Sequence, residues 1–272
     1  GTSFSVECAA VLTVATWNVN SIKQREMACA QWLKRAAPGI LCLQELKCMT
    51  EGFPRGTFEE LGYNCAVLGQ KSFNGVAILS KFPIDETIAG LPGDPSDEQS
   101  RYIEAVISLP GGKAIRVASI YAPNGNPAPS PKLDYKLAWL ARLKAHTETL
   151  LAFEEPFVLA GDYNIIPRPG DVYNPANWVE DALYRLDSRQ AFRRIMNLGL
   201  TDAVLACDSS AGQYTFWDYQ AGAWQKNLGL RIDHILLSPR ATARLKCAEI
   251  DRRPRAWDKP SDHTPVSATL DL

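Results

Sequence analysis

Residues 157–164 read Phe-Val-Leu-Ala-Gly-Asp-Tyr-Asn, an apolar run that ends in a carboxylate and an amide. The first four residues follow a proline and precede a glycine, which is typical of a buried β-strand. Before this run, residues 132–155 carry leucines at three- and four-residue intervals and predict a helix. Before that helix, the apolar residues 115–121 predict another strand. This mixture of strands and helices predicts an α/β fold.

Other short runs predict strands elsewhere in the chain, because they are rich in Val, Ile, Leu and aromatic residues and are bounded by Gly, Pro or Asn. They are residues 11–17, 39–43, 63–68, 76–80, 102–109 and 231–237. Residues 23–37 and 188–198 predict two further helices. We therefore expect one domain over residues 1–272, in which mixed β-sheets are covered by helices. Residues 1–10 are expected to be a flexible or expression-derived N-terminal segment.

The composition excludes several classes of protein. Of the 272 residues, 46% are hydrophobic and 22% are charged, which is typical of globular domains rather than of disordered or fibrous chains. The net charge is −1, so the chain lacks the overall basic excess that would indicate a polyanionic partner. The 7 cysteines include no C-x-x-C pair, which argues against a zinc cage and favours a reducing, cytoplasmic compartment. No apolar run is long enough to span a bilayer.

Polar side chains that can bind a metal or a phosphate lie in or at the end of several apolar runs. These segments are residues 16–20, 43–45, 121–124, 161–164, 231–233 and 261–263. Because side chains two apart in a strand point to the same side, Asp162 and Asn164 can aim at one point. Each segment taken alone has an ordinary structural explanation, such as a turn or a helix cap. Taken together, they favour a common site.

The chemistry of these groups matches metal-assisted phosphodiester hydrolysis. Glu45 and Asp262 offer the hard oxygen ligands that Mg²⁺ prefers. Asp162 can take a proton from a water, and Asn164 can hold that water in line with a phosphorus. Neutral donors for a phosphate are also present, and they are the side chains of Asn18, Tyr121 and Asn124.

His263 completes this set. A catalytic histidine needs a carboxylate to fix its tautomer, and Asp233 on another predicted strand is the candidate. Other hydrolytic chemistries fit less well, since the chain has no G-x-S-x-G, no H-E-x-x-H and no G-x-x-x-x-G-K-[ST] motif. The residues therefore predict a metal-dependent phosphodiesterase.

Seven motifs in order along the chain resemble those of the exonuclease III family, the Mg²⁺-dependent abasic-site endonucleases and 3′-end-processing nucleases of base excision repair. They are residues 17–20, 43–47, 121–125, 161–165, 214–219, 229–233 and 259–263. The resemblance runs from about residue 13 to residue 270. It implies a four-layer α/β sandwich, with two packed mixed β-sheets flanked by helices, and a hydrolase that uses Mg²⁺ or Mn²⁺.

The resemblance also implies roles for single residues. Asp162 would activate the attacking water, which Asn164 would orient, while Asp233 would hold His263 against the scissile phosphate. Whether Asp162 or His263 is the base stays open, as does the number of metal ions. The implied metal ligands are Asn18, Glu45 and Asp262; the catalytic residues are Tyr121, Asp162, Asn164, Asp233 and His263; the substrate-binding residues are Asn20, Asn124 and Arg231; and the wall of an abasic-sugar pocket is Phe216, Trp217 and Ile232.

The expected partner is double-stranded DNA with abasic sites or blocked 3′ ends, bound by a monomer. Arginines and lysines within residues 182–194 and 231–259 favour contacts with DNA phosphates. Residues 165–178 depart from the family pattern and carry Tyr173 and Trp178, which could narrow the site. An enzyme that processes 3′ ends with little abasic-site cleavage is therefore the main alternative. A lipid phosphodiesterase of the same fold and a non-catalytic DNA-lesion binder are more remote alternatives.

Overall fold

Two six-stranded β-sheets and a short β-hairpin form the centre of the part of the chain that the structure describes, residues 11–272 of a computed structural model. The expected N-terminal segment, residues 1–10, lies outside the described residues. The strands are β1 (Val11–Asn18), β2 (Ile40–Gln44), β3 (Asn64–Leu68), β4 (Val76–Ser80), β5 (Ile84–Ala89), β6 (Tyr102–Leu109), β7 (Lys113–Tyr121), β8 (Phe157–Asp162), β9 (Thr201–Asp202), β10 (Phe216–Trp217), β11 (Gly229–Leu230), β12 (Asp233–Leu237), β13 (Leu245–Ile250) and β14 (Val266–Asp271). The α-helices are α1 (Ile22–Ala36), α2 (Arg55–Glu59), α3 (Pro131–Ala152), α4 (Leu186–Met196), α5 (Ala203–Cys207) and α6 (Pro239–Thr242).

Both large sheets are mixed. The first has the strand order β13-β14-β1-β2-β4-β3, and the second has the order β5-β6-β7-β8-β12-β9. In the first sheet β1 and β2 are parallel, and in the second β7 and β8 are parallel, whereas the other paired neighbours are antiparallel. The long helix α3 makes the crossover from β7 to β8, as a parallel connection requires.

The two sheets pack face to face, and helices cover their outer faces. Successive residues of β2 show why: Cys42 packs into the core between the sheets, whereas Leu41 and Leu43 pack beneath α1. On the other side, Leu159 of β8 packs beneath α3 with Trp139. Strands that are buried on both faces need apolar residues at every position, which explains their continuous apolar runs. This arrangement confirms the predicted four-layer α/β fold.

Some element boundaries differ from the prediction. The run 231–237 was expected to be one strand, but β12 begins only at Asp233, and the preceding β11 pairs with β10. Helix α3 ends at Ala152 rather than at residue 155, because the backbone of Glu154 adopts a left-handed conformation (φ 54°). Strands β5, β9, β10, β11, β13 and β14 have no counterpart in the prediction. Strands β5 and β13 lie at sheet edges and carry mostly exposed or half-buried residues, so they lack a strong apolar signal. Strands β9, β10 and β11 are only two residues long, and β14 alternates buried and half-buried residues.

The fold brings the ends of strands from both sheets to one edge of the sandwich. Strands β7 and β8 end side by side, with Tyr121 opposite Asp162, and β12 begins there with Asp233 opposite Asp162. At Gly161 the neighbouring strand is so close that an added Cβ would lie 1.9 Å from the carbonyl oxygen of Ile120. Only glycine fits at that position. Within residues 11–272, no helix is both long and apolar enough to cross a membrane.

Candidate active site

Asp162, Asp233 and His263 form a buried array at this edge. The Nδ1 atom of His263 lies 2.8 Å from Oδ2 of Asp233, and its Nε2 atom lies 3.6 Å from Oδ2 of Asp162. The Thr215 hydroxyl accepts a hydrogen bond from the backbone N–H of Asp233 (3.2 Å). The indole N–H of Trp17 donates to the His263 carbonyl (3.1 Å). The histidine is therefore held between two carboxylates from adjacent strands.

The pKa values of both Asp162 and His263 are raised in this array, but for different reasons. Burial raises the pKa of Asp162 to about 7, and although His263 opposes this shift, Asp233 and Glu45 add to it. Burial alone would lower the pKa of His263, but Asp233 and Asp162 outweigh burial and raise it well above its usual value. The histidine is thus stabilised as a cation, and Asp162 exchanges its proton near neutral pH.

Asn18 connects the two sheets beside this array. Its side-chain NH₂ group donates to Oε1 of Glu45 (2.7 Å) and to Oδ2 of Asp162 (2.9 Å). Its amide oxygen accepts from the backbone N–H of Asn20 (3.0 Å), and its carbonyl accepts from the Ser261 hydroxyl (2.6 Å). Asn18 was expected to be a metal ligand, but here its NH₂ group, rather than its oxygen, faces the two carboxylates.

Several non-glycine residues around the site have left-handed backbone conformations, which cost energy for residues with a Cβ atom. They are Asn20, Ser21, Glu45, Lys47 and Asn164. Local contacts hold these conformations, since the Ser21 N–H donates to the Glu45 carbonyl (2.8 Å) and the Asn164 N–H donates to Oδ1 of Asp162 (2.9 Å). Such conformations concentrate at functional sites, where the surrounding structure fixes them.

The side chains present fit a divalent metal ion. One atom each of Glu45, Asp162 and His263 lies within 4.8 Å of the other two, and because His263 is protonated, the two carboxylates are the metal-binding groups of this set. Asp262 is not part of that group, but its Oδ1 atom is buried and has no hydrogen-bond partner among residues 11–272. Burial raises the pKa of Asp262, so a cation nearby would stabilise its charged form. Carboxylate oxygens are the ligands that hard cations such as Mg²⁺ prefer.

Tyr121 and Asn164 also lie in this region. Burial, together with the charges of Glu45 and Asp162, raises the pKa of Tyr121 well above its usual value, so its hydroxyl keeps its proton. The Asn164 side-chain NH₂ group donates to the Ala122 carbonyl (2.8 Å). Asn124 lies further out and is exposed, where it lines a neighbouring cleft.

Arg231 does not reach the site, contrary to the expected phosphate contact. Its side chain is fully buried, with Nε 2.9 Å from Oδ1 of Asp171 and Nη1 2.9 Å from Oδ2 of Asp202. A buried guanidinium group needs carboxylate partners, and these two occupy it. Arg231 is therefore a structural cation rather than a phosphate ligand. Asn20 lies beside the site, but its side chain already accepts from Lys47 (2.6 Å) and donates to Tyr219 (3.2 Å).

Of the three aromatic and apolar residues expected in the sugar pocket, only Phe216 borders an open cleft. Its ring lies 5.0 Å from the His263 ring, and the cleft has a volume of about 200 Å³. Tyr173 and Trp178, from the unusual 165–178 segment, line the same cleft and contact each other edge to face. The segment therefore does border the site.

The other two expected pocket residues, Trp217 and Ile232, are buried and do not line this cleft. The Trp217 ring packs against Trp224 at 4.8 Å, and its indole N–H donates to Oδ1 of Asn227 (2.9 Å). Ile232 belongs to an apolar cluster that includes Val172. Both are core residues: Trp217 faces inward from the β10–β11 hairpin, and Ile232 is buried between β11 and β12.

Comparison with known proteins agrees with this geometry. Residues 15–263 match the model of the endonuclease/exonuclease/phosphatase family. The chain belongs to this family. It is 31% identical to exodeoxyribonuclease III of Haemophilus influenzae over 261 residues, which is 93% of this chain and 97% of that protein. These matches confirm the predicted exonuclease III family and the expected class, a hydrolytic DNA repair nuclease.

Two solved structures of the family are similar over 96% of this chain and 100% of theirs. One is the 3′ phosphatase NExo from Neisseria bound to a product DNA hairpin, with 39% identity and a TM-score of 0.92. The other is an AP endonuclease from Archaeoglobus fulgidus, with 38% identity and a TM-score of 0.90. The relatives thus include both an AP endonuclease and a 3′ phosphatase.

Sequence reasoning missed Lys136, a buried charged residue beside this site. Its position carried a signal: Leu133, Lys136, Leu140 and Leu143 follow one another at three- and four-residue intervals, so the lysine lies on the apolar face of α3. Burial lowers the pKa of Lys136 to about 7, although Asp162 and more distant carboxylates oppose this shift. A lysine in an apolar stripe indicates a buried cation with dedicated acceptors.

Proposed function

We propose that the protein is a Mg²⁺-dependent DNA repair phosphodiesterase that incises the backbone 5′ to abasic sites and processes blocked 3′ ends. The observation that carries this proposal is the His263 ring held between Asp233 and Asp162, next to the carboxylate of Glu45. The names of the similar proteins, an exodeoxyribonuclease, an AP endonuclease and a 3′ phosphatase, support it.

Asp162 is the base in this proposal. Its pKa of about 7 lies near the working pH, where a carboxylate both accepts a proton readily and is sufficiently ionised. The Asn164 N–H fixes Oδ1 of Asp162, which leaves Oδ2 directed toward His263 and Asn18. Asn164, held through its side chain by the Ala122 carbonyl, orients the attacking water.

His263 and Tyr121 bind the scissile phosphate. Asp233 and Asp162 keep the imidazole protonated, so its Nε2–H can donate to a phosphate oxygen and stabilise negative charge as it develops. The Tyr121 hydroxyl keeps its proton for the same purpose. A divalent cation bound by Glu45, with Asp262 nearby, would supply Lewis-acid stabilisation of the phosphate when bound.

Two cations next to the site favour DNA as the partner. Arg101 and Lys132 line a cleft of about 380 Å³ together with Asn124, and within residues 11–272 neither has a carboxylate in ion-pair contact. The Arg101 guanidinium lies over the Tyr121 ring at 4.9 Å and donates to Gln99 (2.7 Å). This cleft would hold a backbone phosphate beside the scissile one.

Salt dependence tests this DNA face. We expect Lys132→Gln to reduce the slope of log binding constant against log salt by about 0.9, because one phosphate contact is lost. Lys113→Gln, at the exposed start of β7 on the opposite edge of the sandwich, is the matched control and should leave the slope unchanged.

The cleft beside Phe216 bears on substrate choice. At about 200 Å³ it is smaller than pockets for drug-sized ligands, so it suits a single sugar rather than a whole nucleotide. Tyr173 and Trp178 on its wall favour a second candidate, an enzyme that processes 3′ ends and cuts abasic sites poorly. In that case Tyr173→Ala should increase abasic-site incision.

The test uses two labelled duplexes, one with an internal abasic-site analogue and one with a recessed 3′-phosphate, each with Mg²⁺ and with EDTA. Mg²⁺-dependent reaction of both substrates is the expected result. Reaction of the 3′-phosphate alone would favour the second candidate. Reaction of neither substrate, or equal reaction in EDTA, would contradict the proposal.

We also propose that the protein acts as a monomer in a reducing, cytoplasmic compartment. The six cysteines among residues 11–272 are free thiols, and burial raises the pKa of Cys48, so its thiolate form is disfavoured. Light scattering at assay concentration checks the monomer, and a dimer mass would contradict it.

A further inference from the structure

Lys136 of α3 has a fully buried side chain whose ammonium group binds three backbone carbonyls. The Nζ atom lies 2.5 Å from the oxygen of Asn164, 3.0 Å from that of Ala182 and 3.1 Å from that of Asn124. An ammonium has three N–H donors, so this set of acceptors satisfies all of them. The three carbonyls belong to three separate segments, which follow β7, follow β8 and precede α4.

The local backbone is shaped for this contact. Asn164 has a left-handed conformation (φ 48°), in which its N–H meets Asp162 while its carbonyl meets Lys136. The lysine stem is enclosed just as closely, since a Cβ added to Gly125 would lie 2.7 Å from Cδ of Lys136. The segment after β7 therefore fits around this side chain.

An apolar side chain would fill the same space at lower cost, because burial of a charge is expensive even when it is hydrogen-bonded. The lowered pKa of Lys136 reflects that cost. In return, the charged group holds the segments that carry Asn124 and Asn164 in a fixed position relative to each other. In the proposed function, Asn124 lines the cleft for a neighbouring backbone phosphate, and Asn164 orients the attacking water.

We propose that Lys136 is a positioning residue of the hydrolytic site, whose ammonium ties the Asn124 and Asn164 segments to α3 and so fixes the orientation of both amides. This inference rests on the proposed function for its effect on rate. Lys136 does not contact the substrate and acts through Asn164. Its loss should therefore lower the turnover of bound DNA more than it weakens DNA binding.

The first test compares Lys136→Met with Glu104→Gln. Glu104 binds His146 near the other end of α3 and has no contact with the two segments, so its variant loosens the same helix away from the site. On the 3′-phosphate duplex, at a temperature where both variants are folded, we expect Lys136→Met to lower kcat at least tenfold with KM within twofold of wild type. Glu104→Gln should keep kcat within twofold. A kcat of Lys136→Met within twofold of wild type, or an equal loss in both variants, would overturn the proposal.

Lys136→Gln is the second variant, used also if Lys136→Met does not fold. Its side-chain NH₂ group keeps two donors, so we expect a kcat between those of wild type and Lys136→Met. If Lys136→Met does not fold, a kcat of Lys136→Gln within twofold of wild type would overturn the proposal.

Hydrogen–deuterium exchange tests the structural part without any substrate. We expect exchange in residues 122–126 and 162–166 to become faster in the Lys136 variants and to stay unchanged in Glu104→Gln. Unchanged exchange in the Lys136 variants would overturn the inference even if wild type cleaves DNA. If exchange becomes faster in the Lys136 variants but wild type cleaves neither duplex, the proposed function is contradicted, whereas the role of Lys136 in holding the segments together stands.

Discussion

Two buried clusters beside the second sheet each pair a histidine with at least one carboxylate, but the carboxylate pKa is lowered in one cluster and raised in the other. Beneath α3, the carboxylate of Glu104 binds the Tyr102 hydroxyl (2.6 Å), Nε2 of His146 (2.5 Å) and the Arg116 guanidinium (2.8 Å). Burial would raise the pKa of Glu104, but these partners outweigh burial and lower it. At the edge of the sandwich, by contrast, the pKa of Asp162 is raised to about 7.

The two clusters differ in how many of their carboxylate oxygens have hydrogen-bond or ion-pair partners. Both oxygens of Glu104 have partners, and one of those partners is an arginine. At the site several carboxylates share one histidine, and two buried oxygens, Oδ1 of Asp233 and Oδ1 of Asp262, have no hydrogen-bond partner among residues 11–272. Clusters of the first kind stabilise a fold. Clusters of the second kind cost stability, and proteins retain them where the shifted pKa values and free oxygens do chemistry.

The largest effect should come from Asp162→Asn. The amide cannot accept the proton of the attacking water, so we expect kcat to fall by roughly 10⁴-fold, with DNA binding retained. The pKa of Asp162 is higher in the folded protein than its ordinary value of about 4, so the charged carboxylate destabilises the fold at pH values above that. The midpoint of thermal unfolding of Asp162→Asn at pH 8 should therefore equal or exceed that of wild type. Parallel kinetics and calorimetry check this. A variant with near wild-type turnover would show that Asp162 is not the base.

Asp233→Asn should have the next largest effect. The variant keeps the contact with His263 but removes the charge that favours the imidazolium, so we expect kcat to fall by about 10²-fold. The pKa of His263, followed by NMR, should fall as well, because Asp233 is the leading cause of its increase. An unchanged histidine pKa together with wild-type turnover would contradict this role.

Glu104→Gln should act on stability alone. It leaves the half-buried Arg116 facing a buried neutral partner, so we expect a loss of about 2 kcal/mol in the free energy of unfolding, measured by urea denaturation. The kcat on either duplex should stay within twofold of wild type. A large loss of activity in the folded variant would show that the two clusters are coupled.

The smallest expected effect is on the stability of wild type relative to Glu104→Gln at acidic pH. Because the pKa of Glu104 is lower in the folded than in the unfolded protein, its stabilisation is complete above about pH 4.3 and is lost as the pH falls through the folded value. The difference in unfolding midpoint between wild type and Glu104→Gln should therefore shrink below about pH 4. Thermal scans from pH 3 to pH 6 measure it, and a constant difference would contradict the assignment.

The fold was largely predictable because the central strands are buried on both faces, so their apolar runs are continuous and their ends are marked by Gly, Pro or Asn. Edge strands such as β5 and β13 lack that signal, since solvent covers one side of them. The ends of β8 and β2 could be recognised as polar positions, and the structure brings Glu45, Asp162 and His263 together there.

What the sequence did not show was which polar residues are buried with partners of their own. Arg231 is in a motif of the family, yet two distant aspartates, at positions 171 and 202, neutralise it. Trp217 is adjacent to Phe216, but the hairpin turns it into the core. The carbonyl acceptors of Lys136 come from three loops, and no periodicity in a single segment reports such a convergence.

The most direct test of this contrast is an NMR titration of the side-chain carboxyl carbons of Asp162 and Glu104 in the same metal-free sample. We expect the Asp162 signal to titrate near pH 7 and the Glu104 signal below its ordinary value of about 4.3. Asp162 titrating near pH 4, together with Glu104, would contradict the central claim that the Asp162 cluster is poised for proton transfer and the Glu104 cluster is purely structural.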